Sequence, residues 1–209
     1  MRTTRQRVPK AYGGLTLIEL IVVLAILVGL AGLVVPIFSN TYADSAERTT
    51  NATLVAARAA MIRQWTDTKY VTLDGSTSTA SDAERFQTRW LFNSPVTGLS
   101  AADFDPDTRI GWNGPYLVSS TGRYAVNATT KFIADYGATG DPAIVDSFTG
   151  SPIVFQVVAG PPASPPYDIR VVSAGANGVL DISPTDTTAE LEAGTKPIGD
   201  DLYVAFILR

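Results

Sequence analysis

The sequence predicts an α+β protein in which one long N-terminal helix packs on a small antiparallel sheet. Three observations carry that prediction. An apolar run, Leu15 to Phe38, reads LTLIELIVVLAILVGLAGLVVPIF with a single charge. Apolar residues then recur at helical spacing, with no Gly or Pro before Gly75. Four short runs rich in Val, Ile, Tyr and Phe follow, each bounded by Gly, Pro, Asn or Asp.

The apolar run makes about 36 Å of helix at about 1.5 Å per residue, enough for a hydrocarbon core of about 30 Å. Arg2, Arg5, Arg7 and Lys10 precede it, and no acidic residue lies in 1–14. The positive-inside rule therefore puts residues 1–14 in the cytoplasm and residues after 39 outside. A secretory signal peptide has a shorter apolar stretch, of about 7–15 residues, followed by a small-residue cleavage site. Here the sharpest junction, Gly13-Gly14-Leu15, sits before the apolar run. Glu19 interrupts the run, and a carboxylate at membrane depth costs about 2.5–3.5 kcal/mol, so it calls for a partner. Cleavage after Gly14 would create one, the new α-amino group of Leu15, about 6 Å along the helix axis from Glu19. In a packed array Glu19 could instead meet a neighbour's amine. A misaligned subunit would leave that charge unpaired, so Glu19 would measure axial offset. Pro36 removes one backbone hydrogen bond and loosens the helix around residue 32.

Residues 39–70 read as an amphipathic continuation, with Leu54, Arg58, Met61, Ile62 and Trp65 on one stripe. Trp65 reads as core. A loop follows, then a short helix near 81–92 and turns at SPVTG and DFDPDTRIGWNG. Asp103, Asp105 and Asp107 read as a Pro-containing surface turn rather than a catalytic carboxylate set. The strand-like runs are 115–119, 153–158, 167–173 and 202–208, with Pro161, Pro162, Pro165 and Pro166 between the second and third. The domain plan is thus a leader at 1–14, a transmembrane helix at 15–38, its continuation at 39–70 and an extracytoplasmic domain at 71–209.

Composition narrows the chemistry. The chain has no cysteine and no histidine, which excludes disulfides, thiolate metal sites and histidine-based catalysis. Its net charge is −4, and all 20 acidic residues follow the basic N-terminus, which argues against nucleic acid as a partner. No Walker motif is present, and no G-x-G-x-x-G follows a strand. The expectation is a non-enzyme.

Lys10-Ala-Tyr-Gly-Gly14 followed by Leu15-Thr-Leu-Ile-Glu19-Leu20 resembles the leader of type IV pilins and type II secretion pseudopilins. The segments Gly111–Leu117, Asp146–Ile153 and Tyr167–Gly178 resemble the major, G-type pseudopilin. The resemblance implies cleavage after Gly14 by a prepilin peptidase and methylation of Leu15. It implies an inner-membrane single-span subunit with a periplasmic domain, and filament assembly governed by Glu19 and Pro36. Its partners would be further copies, other pseudopilins and an inner-membrane secretion platform. A type IV pilus or competence pilin is the same-class alternative. A membrane-anchored, non-polymerising binding module is the alternative of another class, and a membrane-tethered hydrolase a weaker one.

The resemblance also implies calcium in the C-terminal loop. Asn177 stands where the family has Asp, and Asp200 and Asp201 stand for its later D-D or A-D pair, with backbone carbonyls near Ser173 completing the shell. Calcium takes six to eight oxygens of these kinds. Asp181 and Asp186 lie in the same acidic loop, which has no EF-hand spacing.

Overall fold

A computed structural model describes residues 16–68, 86–93, 104–158 and 166–209, with only the backbone described at 33–40. It is an α+β structure of two compact units, the first ending at Ala43 and the second being Asp44–Arg209. Helix α1 spans Leu17–Thr68. A capping box starts it: the Thr16 backbone N–H and Oγ1 both donate to Glu19 Oε2, at 2.8 and 2.7 Å. The helix continues through Pro36.

In the first unit every large apolar side chain described from Leu17 to Leu30 is at least half exposed. Among the described residues no helix is long and apolar enough to cross a membrane.

The second unit holds a three-stranded sheet in which each strand runs antiparallel to its neighbour, in chain order. β3 is Val154–Val157, β4 is Tyr167–Ser173 and β5 is Leu202–Leu208. Tyr167 opposes Leu208, and Ser173 opposes Leu202. Strand period two sends Tyr167, Ile169 and Val171 to one face, where they join a core with Leu54, Ala57, Ala60 and Met61 of α1. Val154 and Val172 face the other way, into a second core with Tyr124, Phe132, Leu180, Ile182 and Leu191. β4 is therefore covered on both faces. The flanking pair β1 (Gly122–Arg123) and β2 (Pro142–Ala143) is a separate two-stranded ribbon.

The buried stripe of α1 differs from the expected one. It runs through Ala46, Thr50, Leu54, Ala57, Ala60, Met61, Gln64 and Thr68. The small alanines set the face that approaches the sheet, while Arg58 and Ile62 stay exposed. The Arg58 guanidinium lies 5.8 Å from the centre of the Phe206 ring. Trp65 joins the first core and donates its indole N–H to the carbonyl of Arg209 at 3.2 Å.

Residues 115–119 do not form the expected strand. The amides of Tyr116 and Leu117 both donate to the carbonyl of Leu91, at 2.8 and 3.1 Å, so this backbone is used in docking onto a 3-10 turn at Thr88–Leu91. That turn is what the described part of the expected 81–92 helix forms. Asp105 and Asp107 lie in an exposed turn in which Asp105 Oδ1 accepts from the Asp107 amide at 2.8 Å. A helix absent from the expectation, α2 (Thr188–Glu192), carries its own capping box between Thr187 and Glu190. Asp103, the SPVTG turn and the connection at 159–165 lie outside the described residues.

One buried cation ties the 179–201 loop to the sheet. Arg170, in central β4, is 0% exposed. Its Nε donates to Gln156 Oε1, its cross-strand partner, at 2.8 Å. Its terminal nitrogens donate to the carbonyls of Asp186, at 2.8 Å, and Ser183. Gln156 Nε2 in turn donates to Tyr136 Oη and the carbonyl of Ile182, each at 3.1 Å. Burial pulls the Arg170 guanidinium below its ordinary pKa, and Asp186 holds it up. Removing the cation strands three acceptors, so Arg170→Met is expected to cost about 3 kcal/mol. That corresponds to a fall of about 10 °C in the thermal midpoint followed by tryptophan fluorescence.

Candidate functional site

Two places carry the residues that the sequence singles out. The first is the start of α1. Glu19 is exposed in the first turn and is engaged by Thr16 in the capping box described above. The Glu19 amide closes the box on Thr16 Oγ1 at 3.4 Å. Gly14 and Leu15 lie outside the described residues, and Pro36 is described only as helical backbone.

The second place is the neck of the 179–201 loop, where the loop leaves the second core and returns to β5. Asp181, Asp200 and Asp201 meet there, each offering a carboxylate oxygen within 4.8 Å of the others. Asp201 is 4% exposed. Its Oδ2 accepts from the amides of Asp181 and Ile182, both at 2.8 Å. Its Oδ1 is buried without a hydrogen-bond partner. Burial pushes the Asp201 carboxyl up to about 6, Asp181 and Asp200 adding to the shift while the two amides oppose it.

Two glycines make the approach possible. Gly199 has φ +57, and a Cβ there would run into the Asp181 carboxylate. Gly175 has φ +60, and a Cβ would strike the Asp200 backbone carbonyl. Only glycine combines the left-handed turn with such close contact.

Asn177 lies beside the cluster, bonded to two of its carboxylates. Its side-chain oxygen accepts from the Val179 amide at 2.6 Å. The amide nitrogen is thereby aimed at Asp181 Oδ2, 3.1 Å away, and the Asn177 backbone N–H donates to Asp200 Oδ2 at 2.7 Å. Asn177 therefore positions two carboxylates as a hydrogen-bond donor. Asp181 takes the third place. Asp186 serves elsewhere, facing Lys196 at 3.3 Å. Ser173 ends β4 beside this neck, where its hydroxyl donates to Asp146 Oδ2 at 3.2 Å and accepts from the Gly175 amide at 3.3 Å. Asp146 Oδ1 collects the amides of Phe148, Thr149 and Gly150 at 2.9–3.1 Å, fixing the adjoining turn.

The cluster fits a hard cation. It offers three carboxylates, one of them with a buried oxygen lacking any donor, and hard divalent ions take oxygen ligands of this kind. No protein-family model, curated protein or solved structure matches the chain.

Asp201 provides a test of this geometry. Its folded pKa of about 6 lies above the usual carboxylate value, so the folded state holds the proton more tightly than the unfolded state. In metal-free protein the stability this proton supplies is full below about pH 4 and is lost as pH rises through about 6. Asp201→Asn, assayed in chelator, is therefore expected to match wild type near pH 4. It should melt about 10 °C higher at pH 7.5, read from thermal unfolding curves across that range.

Proposed function

We propose that the chain is a pilin-like filament subunit, a pseudopilin of a type II protein secretion system. The observation that carries this reading is the surface of α1 from Leu17 to Leu30, where every large apolar side chain is at least half exposed, with Glu19 near its start. A helix apolar all round needs a non-aqueous surrounding, which a bilayer or a bundle of like helices supplies. A filament subunit uses both in turn.

On this reading residues 1–14 are a cytoplasmic leader that a prepilin peptidase removes after Gly14, and Leu15 becomes the methylated N-terminus. The subunit waits in the inner membrane as a single-span protein with its domain in the periplasm. It then joins a homo-oligomeric helical filament, with other pseudopilins and the secretion platform as partners. Apolar helices fill the filament core. Glu19 fixes the register by pairing with a Leu15 amine, an exchange in which it leaves Thr16. A helix continuous through Pro36 lacks one internal hydrogen bond there, which makes it the natural place to yield as a subunit leaves the bilayer. The chain does no covalent chemistry; its work is mechanical, and the energy enters elsewhere.

Calcium is the ion proposed for the Asp181, Asp200 and Asp201 cluster. When bound it would neutralise the buried Asp201 and join the loop neck to β5. Asn177 would keep Asp181 and Asp200 in place.

Filament assembly tests the reading. Produced with its assembly platform, the wild-type chain is expected to yield filaments that pellet after shearing. Glu19→Ala should lower their recovery at least about tenfold while membrane levels stay unchanged. Absence of wild-type filaments would favour the membrane-anchored binding module; normal assembly of Glu19→Ala would remove the register role alone.

A further inference from the structure

The acidic neck of the loop has a cation of its own. Lys131 Nζ lies 3.6 Å from Asp181 Oδ1. The other oxygen of that carboxylate receives Asn177 Nδ2, so Asp181 is held from two sides.

Lys131 is held there by a built turn. Asn127 and Phe132 exchange both backbone hydrogen bonds, at 2.8 and 3.1 Å, closing a tight loop around it. Asn127 Oδ1 accepts from the Thr129 amide at 3.0 Å inside the loop. Phe132 anchors the loop by burying its ring in the second core against Tyr124. The Thr130 carbonyl accepts from the Leu180 amide at 3.2 Å, so the residues preceding Lys131 and Asp181 are directly joined. Lys131 itself has φ +61, a left-handed conformation that a side-chain-bearing residue adopts at a cost of about 1–2 kcal/mol. The fold thus maintains a strained lysine beside one carboxylate of a cluster whose Asp201 has a buried oxygen without a donor.

We infer that Lys131 sets the strength of this metal site, acting as a built-in competitor for the Asp181 carboxylate. The inference rests on the reading of the cluster as a divalent-cation site. Without an ion, the ammonium offsets part of the repulsion among the three carboxylates and keeps the neck closed. With an ion bound, the same ammonium is a like charge a few ångströms away and opposes it. Asp181 can then turn fully to the ion only as Lys131 withdraws, and its exposed side chain has room to do so. The consequence is a site tuned to weak, exchangeable binding, which fills where the ion is abundant and empties where it is scarce.

Removing the charge therefore tightens binding. Calorimetric titration of calcium chloride into the full chain in detergent, at low ionic strength, is expected to show Lys131→Gln binding about 3- to 10-fold more tightly than wild type. Lys131→Arg should stay near wild type. The gap between wild type and Lys131→Gln should narrow as sodium chloride is raised to about 0.5 M, a screening response that loss of packing would not produce. The metal-free melting temperature of Lys131→Gln reports that the fold is intact. If wild type binds calcium and Lys131→Gln binds equally or more weakly, the competitor role is overturned and the calcium site stands. If neither chain binds calcium, both fall together.

Discussion

The structure of the second unit depends on a guanidinium that never reaches water. Arg170 lies in the middle strand of the sheet, on the face away from α1, with its charge satisfied by a cross-strand glutamine and by the carbonyls of Asp186 and Ser183. A buried charge is tolerated only when its donors are used, so the loop from 179 to 201 must lie over that face in one arrangement. Leu180, Ile182 and Leu191 of this loop then form the second core with Val154 and Val172. The neck of the loop is where Asp181, Asp200 and Asp201 converge. Packing of the sheet and geometry of the acidic site are thus two results of one constraint.

The first unit presents the opposite problem. Among the described residues the large apolar side chains of α1 from Leu17 to Leu30 are all at least half exposed, and on the proposed reading surroundings outside the chain stabilise them. Residues from Ala46 to Thr68 of the same helix carry a buried stripe, of which Leu54, Ala57, Ala60 and Met61 share a core with the sheet. In the proposed filament this contrast divides the labour: one part of α1 supplies the common core, and the other carries the folded domain. The capping box at Thr16 and Glu19 gives the single carboxylate of the apolar stretch an internal hydrogen-bond partner before any neighbour arrives.

Much of this was legible in the sequence where local physics decides. Tyr167–Ser173 and Leu202–Leu208 were expected with their observed bounds, because β-branched and aromatic residues are cut off sharply by Pro166, Gly175 and the Gly199-Asp-Asp turn. α1 was expected to run to near residue 70, and the described helix reaches Thr68. The failures are tertiary. Alternation along Tyr167–Ser173 puts Arg170 at a position that reads as solvent-facing, and only the covering loop buries it. Residues 115–119 have strand composition, yet their amides are taken by the Leu91 carbonyl. Asp181 joins the acidic pair because Gly199 lets the chain pass close to it, a contact across the loop that spacing does not reveal. Asn177 faces the site with its nitrogen because Val179 occupies its oxygen. α2 is the avoidable miss, since Thr187-Thr-Ala-Glu190 carries the capping-box pattern in plain sequence.

On the proposed function the exposed apolar helix belongs to a processed, assembling subunit. The mature N-terminus tests it most directly. Intact-mass and N-terminal peptide mass spectrometry on the chain from cells with active prepilin peptidase should find a protein beginning at N-methylated Leu15, with residues 1–14 gone. A chain that still begins at Met1 in those cells would contradict the account.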